Sequence, residues 1–149
     1  MHNFTKSGNW TLKVEIKYDV LSNGPPSSRA GTWGIGEWDN FAVAAEADKY
    51  RLTIGSRTKR ENMGIGDPFS NHPLNGTDFS TEEEERDNDQ DCAGVMKGGW
   101  WFGGNPWWPY WLINCSQACL NCKNDYIWSD NYDNWEKPSR SLMWMKKTA

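Results

Sequence analysis

The sequence predicts a β-rich α+β domain with a few short helices and long loops. Three observations carry that class. Short stretches alternate apolar and polar residues with the period of a half-buried strand. No stretch holds the long amphipathic period of a surface helix, and no internal repeat is present. Long polar segments without periodicity separate the alternating stretches.

In chain order, residues 10 to 18, "WTLKVEIKY", place Leu12, Val14, Ile16 and Tyr18 on one face of a strand. "SNGPPSSRAG" (22–31) follows as a Pro/Gly/Ser loop. "TWGIGEWDNFAV" (32–43) resumes alternation through Trp33 and Ile35, then through Phe41 and Val43. "AAEAD" (44–48) is long enough for one helical turn only, and "KYRLTIG" (49–55) is a strand with Tyr50, Leu52 and Ile54 inward. From 56 to 91 the chain is polar and irregular, with Met63, Ile65, Phe69, Leu74 and Phe79 as its apolar anchors. A stretch of that length in a compact domain calls for something to hold it, such as a metal or a disulfide. Short strands are expected around "YIW" (126–128) and "RSLMWM" (140–145).

At 149 residues the chain is one domain, large enough to bury roughly two-thirds of its unfolded surface. Its net charge of −4 comes with scattered Lys and Arg, so it offers no basic face for a nucleic acid. No apolar run approaches a membrane span. The start, "MHNFTKSGNW", is not a basic-then-apolar signal peptide, so an export signal is expected outside this chain.

Four cysteines, Cys92, Cys115, Cys119 and Cys122, fit two disulfides with three possible pairings. Four glycosylation sequons begin at Asn3, Asn9, Asn75 and Asn114, and together with the cysteines they point to a secreted, extracellular protein. The pair Cys119 and Cys122 could also form a redox dithiol or half of a zinc site. The first lacks a preceding strand and following helix. For the second, the 22 residues after Cys92 are unlike common ribbon spacings.

Asp87, Asp89 and Asp91 alternate, so in a curled loop their carboxylates can converge on one hard cation such as Ca²⁺, which takes several oxygen ligands. The competing reading is a solvated acidic loop continuing the glutamate run 82–85. Tryptophan is abundant, 11 residues of 149, and five of them stand at 100, 101, 107, 108 and 111. Such usage serves either a large aromatic core or a face on which flat ligands stack. Catalysis has little support. The two histidines, His2 and His72, form no legible triad, and no acidic pair is singled out as a glycosidase acid and base.

"FAVAAEADKYRLTIG" (41–55), "FST" (79–81), "ERDND" (85–89), "CAGVMKGGWWF" (92–102) and "NCSQACLN" (114–121) occur in one order. That ordered set resembles the fibrinogen C-terminal domain family, which includes fibrinogen chains, ficolins, tachylectins, tenascins and angiopoietins. "NHPLNG" (71–76), "NDYIW" (124–128) and "RSLMWMK" (140–146) are similar to further elements of its pattern. The chain departs from the pattern at its start, where the family's N-terminal portion is missing, and at the insert "GGNPWWPYWLI" (103–113).

The resemblance implies a partial domain with a mixed sheet: residues 1–56 as the central sheet portion, and 57–149 as the calcium-loop and pocket portion. It implies Ca²⁺ at Asp87 and Asp89, with Asp91 as a further carboxylate, and a disulfide between Cys92 and Cys115. It places a ligand pocket beside the calcium loop, built here by Trp101, Cys115, Ser116 and Tyr126. The peptide bond after the second cysteine, here Cys115–Ser116, is cis in several members. The implied function is an innate-immune, lectin-like module that binds N-acetylated glycans and is carried by an oligomer of a longer protein. The alternative is a protein-interaction or signalling module of angiopoietin or tenascin type, which binds a protein receptor or matrix partner. Strands that expect a partner from the missing portion would be left as open edges.

Overall fold

The computed structural model describes residues 2–18, 31–61, 65, 67–71, 74–86, 91–103, 115, 118–123, 127–128 and 138–148. In chain order it contains helix α1 (His2–Thr5), strands β1 (Trp10–Tyr18), β2 (Trp33–Trp38), β3 (Ala42–Val43), β4 (Leu52–Thr53) and β5 (Arg57–Glu61), and then helix α2 (Pro68–Asn71). Strand β6 (Phe79–Ser80), helix α3 (Cys92–Met96), and strands β7 (Trp100–Trp101), β8 (Ala118–Cys119), β9 (Ile127–Trp128) and β10 (Pro138–Lys147) complete it. A single 3₁₀ turn, Glu46–Asp48, stands where one helical turn is expected.

The main sheet has the order β10-β1-β2-β5. Every strand pairing among the described residues is antiparallel, where the resemblance implies a mixed sheet. Strand β1 is its spine. Leu12, Val14, Ile16 and Tyr18 are buried, as their strict alternation requires, and burial of each of the three aliphatic side chains is worth about 1.5–3 kcal/mol. Both edge strands, β5 and β10, come from beyond residue 56.

Strand β2 shows a reversed face. Residues opposite one another in an antiparallel pair share a face, and Leu12, Val14 and Ile16 lie opposite Trp38, Gly36 and Gly34. Those three point inward, while Trp33 and Ile35 lie half-buried on the outer face. The cause is Trp38, whose ring lies across Gly36. A Cβ at Gly36 would stand 2.9 Å from Trp38 Cζ3 and 3.0 Å from Ile65 Cγ1. Glycine thus provides the room that the indole fills.

The described residues between 56 and 91 hold more regular structure than the polarity of that segment suggests. Residues Arg57–Glu61 form β5 with no apolar period, by pairing with β2. On that strand Lys59 lies 2.8 Å from Glu61 and 3.9 Å from Glu37. The hydrogen bond to Glu61 raises the Lys59 ammonium above the ordinary lysine value of 10.5, and the charges of Glu61 and Glu37 add to it. Other described residues of the segment are anchored by side chains. Phe69 meets Trp38 edge-on at 5.0 Å and Trp128 at 5.5 Å, and Leu74 is fully buried. The Asn75 carboxamide accepts the Ile54 N–H at 3.0 Å, and the Gly76 N–H reaches Leu52 O at 2.7 Å. Asn75–Gly76 therefore closes a turn onto β4, with Gly76 in the positive-φ region (84°) that favours glycine.

The strand expected over 49–55 shrinks to Leu52–Thr53. Lys49 and Tyr50 both take left-handed backbone, with φ of 57° and 52°, which no strand can contain. Leu52 and Ile54 are buried as expected, whereas Tyr50 is half-buried. Strand β10 extends beyond the expected 140–145. It turns Met143 and Met145 toward the core and leaves Leu142 and Trp144 exposed on the outer face.

Candidate functional site

Two features stand out around the Gly-Trp-Trp segment: a pair of disulfides behind it and a cavity in front of it. Helix α3 begins at Cys92, which is bridged to Cys115 with a Cα–Cα distance of 5.3 Å, both residues being buried. Asp91 precedes the helix in left-handed backbone (φ 48°). Its carboxylate folds back over the first turn of α3, into space that a Cβ at Gly94 would need. Among the described residues no group of three or more His, Cys, Asp or Glu side chains gathers as a metal cage. Asp87 and Asp89 lie outside the described residues, as do Ser116, Tyr126, most of the Trp-rich insert (104–113) and one of the four sequon asparagines, Asn114.

Cys119 and Cys122 form a second bridge, with a Cα–Cα distance of 5.5 Å, so they stand as neither a free dithiol nor zinc ligands. This bridge staples the turn after β8. That turn packs on the connection from α3 to β7: Lys123 N–H donates to Lys97 O at 3.1 Å, and Asn121 Nδ2 donates to Gly99 O at 3.2 Å.

Trp100 and Trp101 are both buried, and their rings meet edge-on at 5.5 Å. The Trp101 indole N–H donates to Tyr50 O at 2.8 Å, a contact that the left-handed backbone of Tyr50 makes available. Pairing of β6 with β7 sets Phe79 opposite Trp101, ring centroids 5.1 Å apart. Trp101, Phe79, Tyr50 and Val43 together form the apolar wall of a cavity of about 850 Å³, within the range of ligand sites. Cys92 and Cys115 do not line it.

The rim of this cavity is charged. Glu46 from the 3₁₀ turn, and Glu83, Glu84 and Arg86 from the segment after β6, surround it, while α1 contributes Asn3. A tight turn holds the second group in place. Thr81 N–H donates to Glu84 O at 3.0 Å, Glu84 N–H returns to Thr81 O at 3.2 Å, and Arg86 N–H donates to Ser80 Oγ at 3.0 Å. The Arg86 guanidinium is bound to the Glu84 carboxylate and lies 3.5 Å from Phe79 O, so its charge is already compensated. Apart from Trp101 and Phe79, nothing in the sequence pattern brings these residues together. The cavity draws on four separated segments, which meet through the β6–β7 pairing, the turn at Tyr50 and the hydrogen bonds between Thr5 and Val43.

Comparison with known proteins agrees with this architecture. The family model described as the C-terminal globular domain of fibrinogen beta and gamma chains matches residues 1–148. Angiopoietin-4 of Bos taurus is 28% identical over 103 residues, covering 68% of this chain and 18% of that protein. Angiopoietin-1 of Bos taurus is 34% identical over 103 residues, covering 64% and 20%. Angiopoietin-related protein 6 of Homo sapiens is 30% identical over 102 residues, covering 64% of this chain and 20% of that protein. The chain thus spans about a fifth of the length of these relatives. Among solved structures, the fibrinogen-like globe of human ANGPTL6 superposes with a TM-score of 0.74 at 21% identity, over 99% of this chain and 61% of that one. The lamprey fibrin D-dimer, solved with the peptide Gly-His-Arg-Pro-amide, gives 0.62 at 18% identity, over 97% and 47%. Matched along nearly its whole length, the chain belongs to the fibrinogen C-terminal domain family.

Proposed function

We propose that this domain is an extracellular protein-recognition module of the angiopoietin kind, a binding unit and not a catalyst. The observation that carries the reading is the run of angiopoietins among its relatives, at 28–34% identity over about two-thirds of the chain. Two disulfides fit an oxidising compartment. A cavity with aromatic walls and a charged rim suits recognition of a polar protein surface. The test is capture of receptor ectodomains, the angiopoietin class first, on the immobilised domain, beside a column of N-acetylglucosamine resin. Saturable capture of an ectodomain without retention on the resin is expected. Retention on the resin released by free N-acetylglucosamine, with no ectodomain captured, overturns the reading.

That second outcome belongs to the lectin reading, a pocket for acetylated glycans supported by calcium. Its support is the buried Cys92–Cys115 bridge, whose first cysteine follows the acidic run in the sequence. Asp87 and Asp89 offer the hard carboxylate oxygens that Ca²⁺ takes, and they are the residues proposed to hold it. Asp91 turns toward its own helix and is the least suited of the three. Calcium bound there raises the melting temperature and EDTA lowers it. An identical melt with and without EDTA removes the site.

A further inference from the structure

We propose that the cavity beside Trp101 is the docking site for a basic segment of the protein partner, with a lysine or arginine side chain lodged among its rings. This rests on the reading of the domain as a protein-recognition module. The first observation is the wall. Tyr50, Phe79 and Trp101 converge on one cavity, and aromatic faces attract a cation by about 0.5–2 kcal/mol depending on how dry the contact is. The second is the charge on the rim. Arg86 is held by Glu84, whereas the carboxylates of Glu46 and Glu83 make no ion pair among the described residues. The rim therefore presents uncompensated negative charge above the rings. An anionic or purely apolar ligand would meet that charge at a cost, and a cation meets it favourably at both depths.

The third observation is placement. Glu82, beside Glu83, is tied to Lys97 at 3.2 Å, and the Thr81–Glu84 turn is closed by backbone hydrogen bonds. Glu83 is thus presented by a clamped turn, and Glu46 by a 3₁₀ turn whose Lys49 N–H returns to Glu46 O at 2.8 Å. The backbone carrying both carboxylates is thus ordered before the partner arrives, and only side-chain freedom is lost on binding.

The test uses the full chain and a blocked peptide, acetyl-Gly-Lys-Gly-Arg-Gly-amide, with its norleucine/citrulline counterpart as the uncharged probe. Saturable shifts of the Trp101 indole N–H resonance are expected with the basic peptide and not with the uncharged one. The double variant Glu46→Gln/Glu83→Gln alters two exposed side chains and should weaken binding about five- to tenfold. Glu61→Gln, on the edge strand β5, should leave it unchanged. Absence of saturable binding, equal binding of the uncharged peptide, or full affinity in the double variant each overturns the proposal. A domain that captures a receptor ectodomain equally well with the double substitution retains the protein-recognition reading and loses this site. Capture of no ectodomain at all sinks the broader reading.

Discussion

The indole N–H of Trp38 donates to Oδ1 of Asp67 at 2.9 Å, both residues being buried, while Oδ2 of Asp67 faces Arg57 Nε at 3.6 Å. Arg57 also donates to Ile65 O at 3.1 Å. One carboxylate thus ties β2, β5 and the segment leading into α2. Removing one partner of a buried charged hydrogen bond strands the others. Asp67→Ala should cost about 2–4 kcal/mol, and Asp67→Asn, which keeps an acceptor for the indole, about half as much. Urea denaturation checks both, and an alanine variant as stable as the parent refutes the role.

That link explains where the sequence was legible and where it was not. Strand β1 could be read because its inward set is unbroken, and everything paired with it inherits a face. Strand β2 could not, because glycine carries the inward beat at Gly34 and Gly36 while Trp33 and Ile35 supply the apolar one. Strand β5 has no apolar residue at all, and its partner defines it. At the site, Cys92–Cys115 followed from the family's register. The cavity did not, because Tyr50 leaves its strand through left-handed backbone and Glu83 arrives on a separate turn.

Gly98 marks the closest approach of α3's exit to the second disulfide. A Cβ there would stand 2.8 Å from Cys122 Cα, and backbone cannot yield as a side chain can. Gly98→Ala should cost about 2–3 kcal/mol. At Gly99 the nearest obstacle is the end of the Phe79 ring at 3.0 Å, which can shift, so Gly99→Ala should cost about 1 kcal/mol. Denaturation midpoints compare the two, and a reversed order refutes this packing.

The two bridges should differ in what their loss does. Cys92–Cys115 closes a separation of 23 residues and Cys119–Cys122 one of 3. On loop-closure grounds, paired serine substitutions should cost about 3 kcal/mol for the first and about 2 kcal/mol for the second. Peptide mapping without reduction should find these pairings, and any peptide joining Cys92 to Cys119 or Cys122 refutes them.

Thr5 fastens α1, which carries Asn3 to the cavity rim, onto β3. Its buried hydroxyl accepts the Val43 N–H at 3.0 Å and lies 3.3 Å from Val43 O, to which it donates. Thr5→Val keeps the shape and removes both interactions, leaving a buried N–H that must find another acceptor. The expected cost is about 1–3 kcal/mol, with faster hydrogen exchange at the Val43 amide. Thr5→Ser keeps the hydroxyl and should preserve that protection while losing only a methyl contact. If the valine variant exchanges Val43 as slowly as the serine one, the hydroxyl does not fasten α1, and side-chain packing alone holds Asn3 at the rim.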